Sequence, residues 1–235
     1  MRDGQVIVTG ASRGIGAAIT ADLSRRGFQV VGLSRSGTVP SGFGMTCDVT
    51  DEAALSAAIG EIAQRGPIAG LVNNAGAYFE CESAKLAIAD LEKTLRLNAT
   101  MPFLACRDVY PHLKAAGGGL IVNIGSFLDK LGASRSLAYA ASKAAIGAMT
   151  RCLANEWAKD SIRVMDVAPG YIETDLNRDF LANEKIQAWI KRRVPTGRQG
   201  QPEEVGRVVG MLFAEDIGYL TGETIYLDGG QGMNL

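Results

Sequence analysis

Tyr139 and Lys143 stand four residues apart in the run Tyr139-Ala140-Ala141-Ser142-Lys143. On a helix that spacing sets both side chains on one face, one turn apart. A phenol with an ordinary pKa near about 10 hardly ionises at neutral pH, and a lysine cation close by favours the phenolate and lowers that value. The pair could therefore pass a proton to or from an oxygen. The same spacing also occurs as a packed ring beside a solvated amine, so the surrounding elements must decide.

A second group able to do chemistry is Gly10-Ala11-Ser12-Arg13-Gly14-Ile15-Gly16, between the apolar strand Gln5 to Thr9 and a helix from Ala17 to Arg26. Glycines there allow a tight turn and close backbone approach to a pyrophosphate, which the free N–H groups and dipole of the helix N-terminus attract. At the first strand-to-helix junction of a series, such a turn points to a dinucleotide. The next strand, Phe28 to Leu33, ends in Leu33-Ser34-Arg35-Ser36, without the acid that marks NAD about 20 residues past the glycines. Arg35, with Arg13 closing from the other side, suits a 2′-phosphate, so NADP(H) is expected over NAD(H). The alternative is that both arginines are solvated surface residues.

These groups need a sheet to hold them. Further strands are expected at Gly44 to Cys47, Gly70 to Asn73, Leu120 to Ile124, Ile162 to Val167 and Thr224 to Leu227. Helices are expected from Asp51 to Gln64 with Thr50 as cap, Leu91 to Leu113 with an interruption near Pro102, Tyr139 to Trp157, and Glu203 to Phe213. Strands that are apolar throughout, alternating with helices, predict a doubly wound α/β fold of Rossmann type, a seven-stranded parallel sheet covered on both faces. No linker or composition break divides the chain, so residues 1–235 are expected to form one dinucleotide-binding catalytic domain. Residues 171–200 mix charged side chains with the isolated bulky residues Phe180, Ile186 and Trp189. Following a strand's carboxyl end, that segment is expected to be a substrate lid, against the alternative of two amphipathic surface helices.

Composition narrows the class. With 47% hydrophobic and 21% charged residues, disorder is not expected, and a formal net charge of -1 gives no electrostatic reason to expect nucleic acid or an anionic membrane as partner. Met1-Arg2-Asp3-Gly4 runs directly into a strand, leaving no room for a signal-peptide core, and no segment approaches 18 uninterrupted apolar residues, so the chain is expected to be cytoplasmic. Cys47, Cys81, Cys106 and Cys152 form no CxxC pair, and the single His112 cannot complete a His/Cys cluster, so no metal is expected and the thiols should be reduced and mostly buried.

Taken in order along the chain, Thr9-Gly10-x-x-x-Gly14-Ile15-Gly16, Asp48-Val49, Asn73-Asn74-Ala75-Gly76, Asn98, Ser126, Tyr139-x-x-x-Lys143, Pro169-Gly170 with Thr174, and Asp228-Gly229-Gly230 resemble the single-domain short-chain dehydrogenase/reductase family, including its 3-oxoacyl reductase-like and carbonyl reductase-like members. The resemblance implies hydride transfer between a nicotinamide and a carbonyl carbon or secondary alcohol, the cofactor carrying the hydride and the protein supplying position and proton chemistry. It makes Tyr139 the general acid in reduction and the base in oxidation. Ser126 would hydrogen-bond the carbonyl oxygen, Lys143 would lower the Tyr139 pKa and bind the nicotinamide ribose, and Asn98 would hold a water linking Lys143 to solvent. On the cofactor side it implies Gly10, Ser12, Arg13, Gly14, Ile15, Gly16, Ser34, Arg35, Asp48 and Val49 toward the adenosine and pyrophosphate. Asn74, Ala75, Gly76, Tyr139, Lys143, Pro169, Gly170, Ile172 and Thr174 would complete that site, with Asn73 structural.

Substrate identity is less legible. The resemblance places it among Leu128 to Gly132, Phe79, Tyr171 and the segment from Phe180 to Trp189; Asp129 could read a substrate hydroxyl or amine there, and a solvated loop charge is the favoured alternative. The favoured reading is an NADPH-preferring reductase or alcohol dehydrogenase for a small or medium molecule. A 3-oxoacyl thioester reductase, on acyl carrier protein or CoA, is the alternative. Its carrier would dock on basic residues before the fifth and sixth strands, where Lys114-Ala115-Ala116-Gly117 and Lys159-Asp160-Ser161 carry little charge. A non-catalytic nucleotide-binding regulator would be expected to lack Tyr139 or Lys143, and both are present. The resemblance also implies a homotetramer, with the helices after Asp90 and Tyr139 paired across one interface.

Overall fold

The computed structural model describes residues 4–175, 177–215 and 217–233; the side chain of Phe180, expected above in the substrate pocket, lies outside the described residues. Seven strands, Gln5–Thr9 (β1), Gln29–Ser34 (β2), Phe43–Thr46 (β3), Ile68–Asn73 (β4), Gly119–Ile124 (β5), Ile162–Pro169 (β6) and Thr224–Leu227 (β7), form one sheet in the order β3-β2-β1-β4-β5-β6-β7. All six pairings are parallel. Strands β1, β4, β5 and β6 are buried along their whole length, as an apolar sheet covered on both faces requires.

Eight α-helices are described: Gly14–Arg25 (α1), Glu52–Arg65 (α2), Ile88–Leu95 (α3), Met101–Ala115 (α4), Leu137–Trp157 (α5), Arg178–Leu181 (α6), Glu184–Arg193 (α7) and Pro202–Ala214 (α8). On one face, Ile19 and Leu23 of α1 and Val205, Val209 and Phe213 of α8 pack with Val6, Val8, Val72 and Leu120. On the other, Leu55, Ile59, Leu104, Val109, Leu113 and Leu153 of α2, α4 and α5 pack with Ile7, Leu71, Ile121 and Val164. Each such fully buried aliphatic side chain contributes about 1.5–3 kcal/mol over leaving it in water. The fold is the doubly wound Rossmann type. The strand order reverses between β1 and β4, which opens a crevice at their carboxyl ends.

Local chemistry departs from expectation at three places. Helix α2 is capped by Asp51, whose side chain accepts from the Ala54 N–H, and Thr50 instead donates to Asp48. The interruption expected near Pro102 is a π-helical turn over Arg96–Thr100, directly before α4, in whose first turn Pro102 sits. Residues 171–200 form α6 and α7 around a small core of their own, Leu181, Ile190 and Val194 with Ile186 and Trp189. The ends of this segment are tied together, the Glu173 N–H donating to the Gly200 carbonyl at 2.9 Å and the Gly200 N–H to the Tyr171 carbonyl at 2.8 Å. Cys47 and Cys106 are buried, but Cys81 is half-buried and Cys152 exposed, because the latter lies on the outer side of α5.

Candidate active site

The glycine turn is shaped by contact as much as by conformation. Gly10 has φ +66 and Gly14 φ +54, the left-handed region that side chains rarely adopt. A Cβ on Gly16 would collide with the Gly10 carbonyl and lie 2.5 Å from Asn74 Nδ2. Asn74 braces this turn: its Nδ2 donates to the Thr9 carbonyl at 3.0 Å and the Gly10 carbonyl at 3.1 Å. Thr9, buried in β1, accepts at Oγ1 from the N–H groups of Asn74 (3.0 Å) and Ala75 (3.1 Å). Asn74, expected on the cofactor side, thus spends its amide on the loop that would hold the cofactor. Thr9 was visible only as one letter of the motif, because its work is done through main-chain groups of a distant strand.

Ser12 and Arg13 are exposed at the head of α1, Arg13 standing as its N-cap in extended conformation, while Ile15 is half-buried. Arg35 is exposed at the end of β2, while Ser34 is buried and donates to the Thr38 carbonyl at 3.2 Å. Asp48 accepts from the N–H and hydroxyl of Thr50, which hold its carboxyl below the usual range, with Arg35 adding to the effect; Val49 packs against the core behind it. From the other side, β6 ends at Pro169 and the Gly170 N–H donates to the Leu227 carbonyl at 3.0 Å. Ile172 bridges to Gly200, and Thr174 folds over the turn, its Cγ2 lying 3.4 Å from where a Gly14 Cβ would be. Asn177, unmarked by any motif, fixes this arrangement by accepting from the Thr174 N–H at 2.7 Å and donating to the Ile172 carbonyl at 2.9 Å. A groove of about 630 Å³ runs past Gly14, Ala17 and Thr174 to Arg178 and Arg207.

The proton chemistry gathers beside the ends of β4 and β5. Ser126 follows β5 in extended conformation, buried, and Tyr139 and Lys143 rise from α5 on one face, with Lys143 Nζ 5.6 Å from the centre of the Tyr139 ring. The Ser126 hydroxyl faces the Tyr139 phenol and favours its ionised form. Lys143 is buried and donates to the Ile124 carbonyl at 2.7 Å. Here the expectation needs correcting. Burial pushes the Tyr139 phenol above its ordinary value and Ser126 opposes this, while the Lys143 ammonium, beside the ring, donates to the Ile124 carbonyl. Burial instead brings Lys143 itself down to about 8, with Asp166 opposing.

Asn98 sits in the π-helical turn with its side chain fully engaged. Its Nδ2 donates to the Ala77 carbonyl at 2.9 Å and Ser142 Oγ at 3.1 Å, and its Oδ1 accepts from the Ala77 N–H at 2.9 Å. The side chain braces α5 against the Asn-Asn-Ala-Gly loop. A Cβ on Gly76 would lie 3.2 Å from Asn98 Oδ1 and 3.8 Å from Lys143 Nζ, so that glycine lets the loop pass over both. Asn73 donates to Asn123 Oδ1 at 2.9 Å and the Pro102 carbonyl at 3.2 Å, the structural role expected of it.

The surroundings are aromatic. The Tyr78 ring stands edge-on to Tyr139 with centroids 5.0 Å apart, and its hydroxyl bonds Ser136 Oγ and Glu80 Oε1, both at 2.9 Å. Tyr171 lies between Phe127, at 5.3 Å, and Trp189, at 5.5 Å, and so links the 171–200 segment to the turn after Ser126. Phe79 is exposed. Asp129 is no solvated loop charge: its Oδ2 accepts from the Tyr226 hydroxyl at 2.8 Å. Tyr78 escaped notice because a lone tyrosine in a loop has no periodicity to mark it.

A cradle of glycines at a helix N-terminus beside a Ser–Tyr–Lys cluster can hold a dinucleotide and exchange a proton with a substrate oxygen. Residues 10–232 match the family model described as enoyl-(acyl carrier protein) reductase. The 3-oxoacyl-(acyl-carrier-protein) reductase MabA of Mycobacterium bovis is 36% identical over 230 residues, which cover 97% of this chain and 92% of that protein. A candidate gluconate dehydrogenase from Agrobacterium tumefaciens superposes with a TM-score of 0.93 at 31% identity, covering 99% of this chain and 97% of that one. A candidate NAD(P)-dependent gluconate 5-dehydrogenase from Beutenbergia cavernae, solved with bound NADP at low occupancy, superposes at 0.88 and 31% identity over 97% and 96% of the two chains. The chain belongs to the short-chain dehydrogenase/reductase family and is an oxidoreductase acting on CH–OH groups.

Proposed function

We propose that the protein is an NADP(H)-dependent carbonyl reductase in which Tyr139 is the general acid, working on a small or medium-sized ketone or aldehyde. The observation that carries this is the Ser126–Tyr139–Lys143 cluster on the end of β5, beside a glycine turn that a single Cβ would obstruct. NADP(H), when bound, supplies the hydride in reduction and accepts it in oxidation. Ser126 and Tyr139 donate hydrogen bonds to the substrate oxygen and fix it in place. As negative charge grows on that oxygen, the phenol gives up its proton. Lys143, charged and close to the ring, stabilises the phenolate that remains. The raised affinity of Tyr139 for its proton keeps it an acid at neutral pH, which favours the reductive direction. Arg13 and Arg35, both exposed at the cofactor end, offer donors to a 2′-phosphate. The segment 171–200, pinned at its ends and touching the site through Tyr171, serves as the substrate lid.

A 3-oxoacyl thioester is the second reading, favoured by what the relative MabA is named for. Against carrier docking at the expected place, Lys114 is already paired with Asp160 at 3.0 Å. The assembly we propose is a cytoplasmic homotetramer in which α4 and α5 meet a partner through exposed residues such as Phe103 and Leu137; light scattering giving a monomer would reject it. Among the described residues no helix is long and apolar enough to cross a membrane.

Two experiments test the main reading. NADPH should bind more tightly than NADH by fluorescence titration, and Arg35→Ala should weaken NADPH about tenfold while leaving NADH unchanged, as loss of one charge-assisted phosphate contact predicts. Equal affinities in the wild type would reject the NADP assignment. Tyr139→Phe should still bind NADPH yet reduce nothing in a panel of simple ketones, keto acids, keto sugars and acetoacetyl-CoA that the wild type reduces; retained turnover would reject the acid role.

A further inference from the structure

In-register neighbours on four adjacent strands are polar: Asn73 on β4, Asn123 on β5, Asp166 on β6 and Thr224 on β7. Register neighbours share a face of the sheet. This row faces α4 and α5, since Asn73 donates to the Pro102 carbonyl and Asn123 donates to Thr150 Oγ1 at 2.9 Å. Both Asn side chains are thereby engaged on either side. Asp166 is different. It is 0% exposed, its Oδ2 accepts from Thr224 Oγ1 at 3.2 Å, and its Oδ1 has no hydrogen-bond partner among the described residues. A buried carboxylate with an orphan oxygen is destabilising, and a neutral polar residue would complete the row without that penalty. What Asp166 adds is charge.

Its position says where that charge acts. Gly125 lies directly over it, close enough that a Cβ there would collide with Oδ1. The preceding carbonyl, of Ile124, is the one that accepts from Lys143 at 2.7 Å, so a single peptide separates the carboxylate from the ammonium's anchor. The two charges attract, and among the described residues Asp166 is the one charge that counteracts the burial of Lys143. The other groups facing Asp166 are the Asp129 carboxylate from the turn after Ser126 and the Tyr226 phenol from β7. Arg151 of α5 stands at the same place, its Nη1 3.4 Å from the position of a Gly147 Cβ that is also 3.7 Å from Asp129 Oδ2 and 4.0 Å from Thr224 Oγ1.

We propose that Asp166 is a positioning residue of the reaction, the sealed counter-charge that keeps Lys143 an ammonium and holds it on the Ile124 carbonyl beneath Tyr139. This rests on the assignment of Tyr139 and Lys143 given above. Above the range in which Asp166 titrates, near about 6, the charge is present; below it the support for Lys143 is lost.

The test reads Lys143 directly. In protein carrying lysine labelled with ¹³C at Cε, the Lys143 signal, assigned with Lys143→Arg, is followed by NMR from pH 5 to 11. The wild type should show its main step near about 8 and a second, smaller step near about 6 as Asp166 gains its proton. Asp166→Asn should abolish the small step and lower the main midpoint, a loss of about tenfold in proton affinity. With NADPH and a carbonyl that the wild type reduces, the alkaline limb of kcat should move down by the same amount. A single wild-type step overturns the proposal without recourse to any variant. So does an unmoved Lys143 midpoint in folded Asp166→Asn, even if its melting temperature falls, because Asp166 would then serve the fold alone. If the midpoint moves but the wild type reduces no carbonyl, the reductase reading fails and with it the role in the reaction, while the pairing of Asp166 with Lys143 stands.

Discussion

At Tyr139, burial and Ser126 act in opposite directions on one proton. Burial raises the phenol's affinity for it, and the serine hydroxyl, by donating to the phenolate, lowers it. Alcohol oxidation needs the phenolate, so its rate should climb with pH through the alkaline range, while ketone reduction needs the phenol and should hold up toward neutral pH. Ser126→Ala removes the opposing hydroxyl. Its oxidation limb should therefore shift to higher pH, and kcat/KM should fall by about 10²–10³, the usual effect of losing one donor to a developing oxyanion. A pH–rate profile with the limb unmoved would show that Ser126 acts on substrate alone. As candidates, Tyr139 and Lys143 were readable from their short local spacing, and Ser126 and Asn98 from the family resemblance. What they touch was not: the Lys143 acceptor is a main-chain carbonyl, and the Asn98 partners are Ala77 and Ser142, one of them engaged through its backbone.

The elements carry a related lesson in the first strand-to-helix turn. Three glycines announce it, yet its shape is held by Thr9 and Asn74, which join the carboxyl ends of β1 and β4 across the point where the strand order reverses. Thr9→Val keeps the volume but strands the N–H groups of Asn74 and Ala75. We expect it to destabilise the protein by about 1–3 kcal/mol in urea unfolding, the range for a buried donor left unsatisfied, and to weaken NADPH binding. An unchanged urea midpoint would mean that water replaces the hydroxyl. Periodicity located the strands and helices well because apolar runs and amphipathic faces are properties of neighbouring residues. It placed an interruption of the long helix near Pro102 but not its kind or its bounds, Arg96–Thr100, since a π-helical turn depends on tertiary partners, here Asn98 reaching to Ala77, and leaves no composition signal. It also missed that α6 and α7 make a core of their own, because Leu181, Ile190 and Val194 meet only after the segment folds back.

Across the whole molecule, the sheet places two ionisable groups where water cannot reach, Asp166 on β6 and Lys143 against β5, and their titration should mark the stability of the entire fold. Asp166 rises from 3.8 to about 6 on folding. The folded state thus binds the extra proton between about pH 4 and 6, so stability is greatest below that window and falls as pH rises through it, by roughly 3 kcal/mol from this group. Lys143 runs the other way. Lowered from 10.5 to about 8, it is more readily protonated in the unfolded chain between those values, so its burial destabilises the fold below pH 8 and ceases to do so as pH rises past 10. Between about 6 and 8 both groups are charged and buried, so over the pH range in which Tyr139 and Lys143 would work, the charges beneath the site lower the stability of the fold. Asp166→Asn makes this measurable. Urea unfolding of wild type and variant should give a stability difference, wild type minus variant, that declines from pH 4 to pH 6 and then stays level to pH 7. A difference independent of pH would mean that the Asp166 carboxyl titrates alike in the folded and unfolded chain, as a solvated one does, and a decline that continues through pH 7 would mean that it keeps its proton; either would leave Lys143 without its buried counter-charge.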